Sequence, residues 1–177
     1  PAGRTWKDVM LDEVRPQIGD ADWARVHFLG QLPYPRFIEL IQLSTVHVYL
    51  TYPFVLSWSL LEAMSAGCAV VASNTAPLRE VIRDGETGRF VDFFDPPGLA
   101  ETVGALLDDP AERRRLGVNA RTFARAHYDI SRCLPQQVAW VERMLDAPVM
   151  NGLSETPFES ALICPPVSFG VSGSSPM

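Results

Sequence analysis

An open, doubly wound α/β fold with a parallel sheet and added C-terminal helices is what three observations predict for this chain of 177 residues. Short apolar runs alternate with stretches of helical spacing through the first half. The run Ala69-Val70-Val71-Ala72 is apolar without alternation, as in a strand covered on both faces. From Pro97 onward the spacing is helical alone. Hydrophobic residues make up 47% of the chain, enough to bury a core.

In chain order, Trp6 to Val14 reads as a short amphipathic helix that ends before Pro16. Val26-His27-Phe28-Leu29, closed by Gly30, and Val46 to Leu50 read as strands, rich in β-branched and aromatic residues. Phe37, Leu40, Ile41 and Leu43 recur near helical spacing, so Pro35 to Ser44 is the helix that crosses between them. Ser57 to Ala66 then predicts a helix, Ala69 to Ser73 a strand, Leu78 to Ile82 a short helix and Arg89 to Val91 a further strand. Three helices follow, over Leu99 to Leu107, Pro110 to His127 and Ile130 to Leu145. Proline suits the first turn of the second, and Pro135 is expected to kink or delay the third. Residues 1–20 form a helical remnant, 21–147 the main domain, and 148–177 a Pro-, Ser- and Gly-rich tail expected to be disordered or to order on a partner.

Composition narrows the function. Fifteen Lys and Arg against 21 Asp and Glu leave a formal net charge of -6, which argues against nucleic acid as a partner. Cys68, Cys133 and Cys164 are widely spaced and form neither a disulfide framework nor a zinc motif, so a reducing, cytoplasmic setting is expected. His27, His47 and His127 have no metal-ligand spacing either. No apolar run is long enough for a transmembrane helix. The start, Pro-Ala-Gly-Arg, is expected to be a cut front. A dinucleotide-binding turn of the Gly-x-Gly-x-x-Gly kind is absent, as is any acid and histidine constellation for epimerase chemistry.

Ligands of open parallel sheets bind beyond the carboxyl ends of the strands, where helix N-termini present unpaired amides. Three turns qualify: Gly30 to Pro35, Thr51 to Ser57 and Ser73 to Leu78. The middle one enters a helix that Ser57 or Ser59 can cap and that carries Glu62 a turn and a half further on. Leu60, Leu61 and Met64 supply its core face, so Glu62 points elsewhere, to the ligand crevice or simply to solvent.

The string Ser57-Trp58-Ser59-Leu60-Leu61-Glu62-Ala63-Met64-Ser65-Ala66-Gly67-Cys68-Ala69-Val70-Val71-Ala72-Ser73, followed by Glu80-Val81-Ile82-Arg83-Asp84-Gly85-Glu86-Thr87-Gly88, resembles the C-terminal donor-binding domain of family-4-like glycosyltransferases of GT-B fold. The match covers roughly Val26 to Tyr128. The resemblance implies a Rossmann-like domain that binds a nucleotide-diphosphate sugar and, in the intact enzyme, passes the sugar to an acceptor, with retention at the anomeric carbon and without a metal. It implies no cofactor, and an N-terminal acceptor domain that lies outside this sequence. The isolated chain is then expected to be inactive. A non-catalytic donor domain serving as an interaction module is the alternative.

Position by position, Glu62 matches the family glutamate that holds the nucleotide ribose, a task suited to a carboxylate accepting from two neighbouring hydroxyls. The family glutamate associated with the donor sugar falls on Phe54 and is absent. Val55, Leu56 and Ser57 follow, Leu56-Ser57-Trp58 replacing Phe-Gly-Leu, so their amides face phosphate or sugar without the glycine's close backbone approach. Gly30, Gln31 and Leu32 lie in the turn whose backbone nears the nucleobase. Thr75, within Asn74-Thr75-Ala76-Pro77, occupies the loop near donor sugar and diphosphate. Glu80 is either a loop anchor or a site residue, the 84–88 turn is structural, and Glu112 to Arg115 is a solvated helix face.

Overall fold

The computed structural model describes residues 3–52 and 56–146. Three parallel strands, β1 (Val46–Tyr49), β2 (Ala69–Ser73) and β3 (Arg89–Val91), form a sheet in the order β1-β2-β3. Val46 to Tyr49 pair with Ala69 to Ala72, and Val71 to Ser73 with Arg89 to Val91. Every residue of β2 is buried, as its unbroken apolar run requires.

Among the described residues, eight α-helices accompany the strands: α1 (Trp6–Val9), α2 (Asp20–Trp23), α3 (Tyr34–Leu43), α4 (Trp58–Ala66), α5 (Ala76–Arg79), α6 (Pro96–Asp108), α7 (Pro110–Tyr128) and α8 (Ile130–Asp146). Because side chains alternate across a strand, β2 feeds two cores. Val70 and Ala72 join Ile41 of α3, Leu60, Ala63 and Met64 of α4, Leu78 of α5, and Phe123 of α7. Val71 faces the other way, toward Val91, Leu106 of α6 and Leu116 of α7. The parallel sheet therefore carries helices on both faces. The chain divides into two compact units, Pro1–Gln136 and Gln137–Met177, and of the second only the end of α8 is described.

Helix α4 has defined ends. The Ser57 hydroxyl accepts from the Ser59 amide at 3.3 Å, and Gly67 closes the helix in the left-handed region at φ 84°. The Gly67 and Cys68 amides then donate to the carbonyls of Met64 and Ala63 at 3.0 and 3.1 Å. Gly67 also accepts a close neighbour: a Cβ on Gly117 of α7 would stand 2.1 Å from the Gly67 carbonyl oxygen. Two backbones meet where α7 crosses the end of α4, and Gly117 is what lets them.

Four expectations need correction. Val26 to Leu29 is not a strand: it makes no ladder with β1–β3, and Val26, Phe28 and Leu29 are exposed. Among the described residues no strand pairs with this run; its Val26 amide donates to the Trp23 carbonyl at 2.9 Å, and Phe28 packs on Trp23 with ring centroids 6.0 Å apart. The first helix does not stop before Pro16, because α1 continues through π-helical (Met10–Val14) and 3-10 (Arg15–Gln17) turns, the latter taking the proline near its start. The short helix expected at Leu78 to Ile82 lies earlier, at Ala76–Arg79, with Pro77 in its first turn. Glu112 to Arg115 is not merely solvated. Glu112 accepts from Arg89 of β3 at 2.9 Å and from Arg115 at 2.8 Å, while Arg115 also donates to the Gly85 carbonyl at 2.7 Å. Those bonds, Arg115's first, hold the Glu112 carboxyl below the usual glutamate range. The 84–88 turn is as expected, with Gly85 at φ 72° and the Thr87 hydroxyl accepting from the Arg83 amide at 2.9 Å. Helix α8 runs through Pro135. The tail at 148–177 lies outside the described residues.

Candidate functional site

Where the ladder ends, buried Ser73 fastens the outgoing chain of β1 to β2. Its hydroxyl donates to the Thr51 carbonyl at 2.7 Å and accepts from the Thr51 amide at 2.9 Å. This clamp sets the direction in which the chain leaves the sheet toward α4 and Glu62.

A groove of about 430 Å³ lies between α3 and α4. Tyr34, Ile38 and Gln42, successive members of one face of α3, form one wall, and Trp58, Leu61, Glu62 and Ser65 of α4 form the other. Glu62 is half-buried, since Leu60, Ala63 and Met64 take the core side and leave it the groove. The Tyr34 hydroxyl lies near the Glu62 carboxylate, whose hydrogen-bonding pull and then negative charge push the phenol above its ordinary pKa. Trp58, four residues before Glu62 on the same helical face, is 83% exposed. A carboxylate with free lone pairs between two open aromatic rings is suited to a hydroxylated ligand that also has a flat apolar part.

A second pocket of about 440 Å³ opens at the carboxyl ends of the strands, lined by Tyr52 after β1, Asn74, Thr75 and Arg79 after β2, and Asp92, Phe93 and Phe94 after β3. It shares no lining residue with the groove. A larger hollow of about 550 Å³, lined by Asp84, Arg89, Glu101, Asp109 and Glu112 among others, lies at the amino end of β3, away from the strand ends that favour ligands.

The sequence-derived residues are distributed unevenly over these features. Glu62 is in the groove. Gly30, at φ 64°, exposed Gln31 and half-buried Leu32 form the turn that leads into Tyr34 without lining the groove. Leu56 and Ser57 are half-buried at the entry to α4, Ser57 as its cap, next to Trp58. Phe54 and Val55 lie outside the described residues. Thr75 lines the second pocket and is not brought together with Glu62. Glu80 is exposed at the C-cap of α5 and lines neither pocket. Sequence reasoning missed Tyr34 and Trp58. The signal for Trp58 was present in its spacing of four from Glu62, and for Tyr34 in its place at the first turn of α3.

Among the described residues, no three His, Cys, Asp or Glu side chains cluster in a way that could hold a metal, and no helix is long and apolar enough to cross a membrane. Cys68 and Cys133 are free thiols.

Residues 17–123 match the family model of glycosyl transferases group 1. The phosphatidyl-myo-inositol mannosyltransferase of Mycolicibacterium smegmatis is 36% identical over 125 residues, covering 68% of this chain and 31% of that protein. A D-inositol 3-phosphate glycosyltransferase of Acidothermus cellulolyticus is 33% identical over 131 residues, 73% of this chain and 29% of the relative. The chain thus spans about a third of the length of these relatives. Among solved structures, sucrose-phosphate synthase from Thermosynechococcus elongatus superposes with a TM-score of 0.68 at 26% identity, over 82% of this chain and 36% of that one. The structure of Anabaena HepE in complex with UDP and glucose shares the fold, with a TM-score of 0.67 at 21% identity over 78% of this chain and 36% of that one. Matched by one family model over more than half its length and built on the same parallel α/β sheet, the chain belongs to the group 1 glycosyltransferases, of GT-B fold.

Proposed function

We propose that this chain supplies the nucleotide-sugar-binding part of a hexosyltransferase that passes a sugar from a nucleotide diphosphate to an acceptor hydroxyl. The observation that carries this reading is Glu62, half-buried in the groove with its carboxylate beside the Tyr34 hydroxyl and in line with Trp58. The carboxylate accepts from the two neighbouring hydroxyls of the ribose, and the rings of Trp58 and Tyr34 flank the nucleoside. The backbone of Gly30, Gln31 and Leu32, just ahead of α3, approaches the base.

During transfer the bond from the anomeric carbon to the diphosphate oxygen breaks as the acceptor oxygen bonds to that carbon, and negative charge gathers on the leaving diphosphate. The positive end of the α4 helix dipole, reached through Leu56 and Ser57, suits such charge. Retention, transfer without a metal or other cofactor, and a cytoplasmic setting follow from the family resemblance and form part of the proposal. So does the absence of appreciable transfer by this chain alone, because the acceptor-binding part of such an enzyme lies on another domain. Phe54, in place of the sugar-binding glutamate, favours a second reading in which the domain binds nucleotide without turnover. Assay of a labelled donor with the intact protein separates the two.

Calorimetric titration with UDP and with GDP tests the groove. Glu62→Ala is expected to weaken the tighter nucleotide about tenfold, the loss of one charge-assisted contact of roughly 1.4 kcal/mol. An unchanged dissociation constant removes Glu62 from the site.

A further inference from the structure

We propose that Tyr34 is a positioning residue whose hydroxyl orients the Glu62 carboxylate toward a vicinal diol, so that the groove selects ribonucleotides over their 2′-deoxy counterparts. The selection rests on the nucleotide reading above; the pairing of the two side chains does not.

Tyr34 and Glu62 belong to opposite walls of one groove, Tyr34 at the first turn of α3 and Glu62 one turn after Trp58 on α4. The place of Tyr34 is closely set. Its backbone stands between Pro33 and Pro35, which leaves the chain there little rotational freedom. Its ring centroid lies 6.3 Å from that of Phe37, which packs against the core that includes Ile41 and Leu60. Tyr34 itself is 62% exposed and adds little to that core. Its phenol is anchored from behind and open at the groove.

The company of Glu62 decides how it can act. Among the described residues no ion pair involves it, and Arg36 of α3 is engaged by Glu39 at 2.6 Å. The carboxylate pulls instead on the Tyr34 hydroxyl, which raises the phenol above its ordinary range. An arginine would cover both carboxylate oxygens with its fork and offset their charge. A phenol is neutral and donates once, so it restricts the carboxylate's rotation and leaves the other lone pairs, with the charge, to a ligand. Two acceptors held at one angle suit two neighbouring donors. The cis hydroxyls of a ribose are such a pair, whereas a 2′-deoxyribose keeps one of them. With one hydroxyl to meet, a fixed carboxylate has little advantage over a rotating one, and the contribution of Tyr34 disappears.

The test is a calorimetric double-mutant cycle: UDP, GDP and their 2′-deoxy forms are titrated into the full chain and its Tyr34→Phe and Tyr34→Leu variants. Loss of the hydroxyl alone, in Tyr34→Phe, is expected to weaken the tighter ribonucleotide about fivefold or more and its 2′-deoxy form less than about twofold. Tyr34→Leu, which also removes the ring, is expected to weaken both. An unchanged ribonucleotide affinity in Tyr34→Phe, as a ring that only stacks would give, overturns the proposal. Equal weakening of ribo and deoxy forms, as a disturbed helix would give, overturns it too. A second measurement needs no nucleotide. The Tyr34 Cζ resonance followed through pH is expected to titrate at lower pH in Glu62→Gln, and an unmoved titration removes the pairing. If neither ribonucleotide binds, or Glu62→Ala leaves the affinity unchanged, the nucleotide reading falls and the diol selection with it. A loss in Glu62→Ala beside no change in Tyr34→Phe overturns the role of Tyr34 alone.

Discussion

Between Ser57 and Ser73 the chain buries most of its apolar side chains, whereas from Gly3 to Pro33 it buries none. Both stretches contain helix, and both contain tryptophan. They differ in what their helices lean on. Helix α4 presents Leu60, Ala63 and Met64 to the face of β2 and to α7, so its outward residues inherit a fixed direction. The N-terminal turns are tied by exposed ion pairs, Arg4 with Asp12, Arg15 with Asp20 and Arg25 with Asp22, which stabilise little in water. Trp6 is 84% exposed. Position, not composition, separates a helix that can aim a carboxylate from one that only occupies chain. Glu62 is on the first kind.

The strongest way to break this contrast is Gly117→Ala. The added Cβ would meet the Gly67 carbonyl oxygen, a backbone atom that cannot rotate away, so α7 must lift from the end of α4. Overpacking of this kind is expected to cost about 3 kcal/mol or more, read as a lower midpoint in urea. Because α4 also carries one wall of the groove, nucleotide binding should weaken in the same variant. A loss below about 1 kcal/mol would show that the close approach of the two backbones is not what holds the central region together.

The central region was also the legible one. Strands at Val46–Tyr49, Ala69–Ser73 and Arg89–Val91 coincide with their sequence readings to within a residue, because each is a dense β-branched or apolar run and each finds a neighbour. Val26 to Leu29 has the same local character and no neighbour, and local character cannot supply one. Helix α5 begins two residues before its sequence reading, with Pro77 taken into its first turn. Glu62 could be aimed by elimination, since the core positions around it were plain. Partners drawn from distant segments could not be found that way. Tyr34 reaches Glu62 from α3, Arg89 reaches Glu112 across the sheet edge, and Tyr52 meets Phe93 and Phe94 only after β1 and β3 have been placed.

Ser73→Ala sharpens the comparison at the strand ends. The serine hydroxyl answers both the amide and the carbonyl of Thr51, so its removal leaves two backbone groups partly shielded and unpaired. A cost of about 1–3 kcal/mol is expected, with faster amide exchange at Thr51. Unchanged exchange there would mean that water replaces the hydroxyl and that the clamp does not direct the chain.

Thr5→Ala probes the other side, and the smallest effect is expected there. Thr5 and Asp8 form a reciprocal cap: the Thr5 amide donates to the Asp8 carboxylate at 2.8 Å, and the Asp8 amide to the Thr5 hydroxyl at 3.2 Å. These bonds hold the Asp8 carboxyl below the ordinary aspartate range, the amide bond of Thr5 contributing first. A depressed carboxyl stabilises the cap above the unfolded aspartate pKa, and that support fades as pH falls through the folded value. In a helix packed on a core, such a cap is worth about 0.5–2 kcal/mol. Nothing from Gly3 to Leu40 is buried, so the turn can fray without opening the sheet. The expected result is faster amide exchange from Trp6 to Val14 with global unfolding free energy lowered by less than about 0.5 kcal/mol. A global loss near 1 kcal/mol would couple the N-terminal turns to the core and erase the distinction between the two regions.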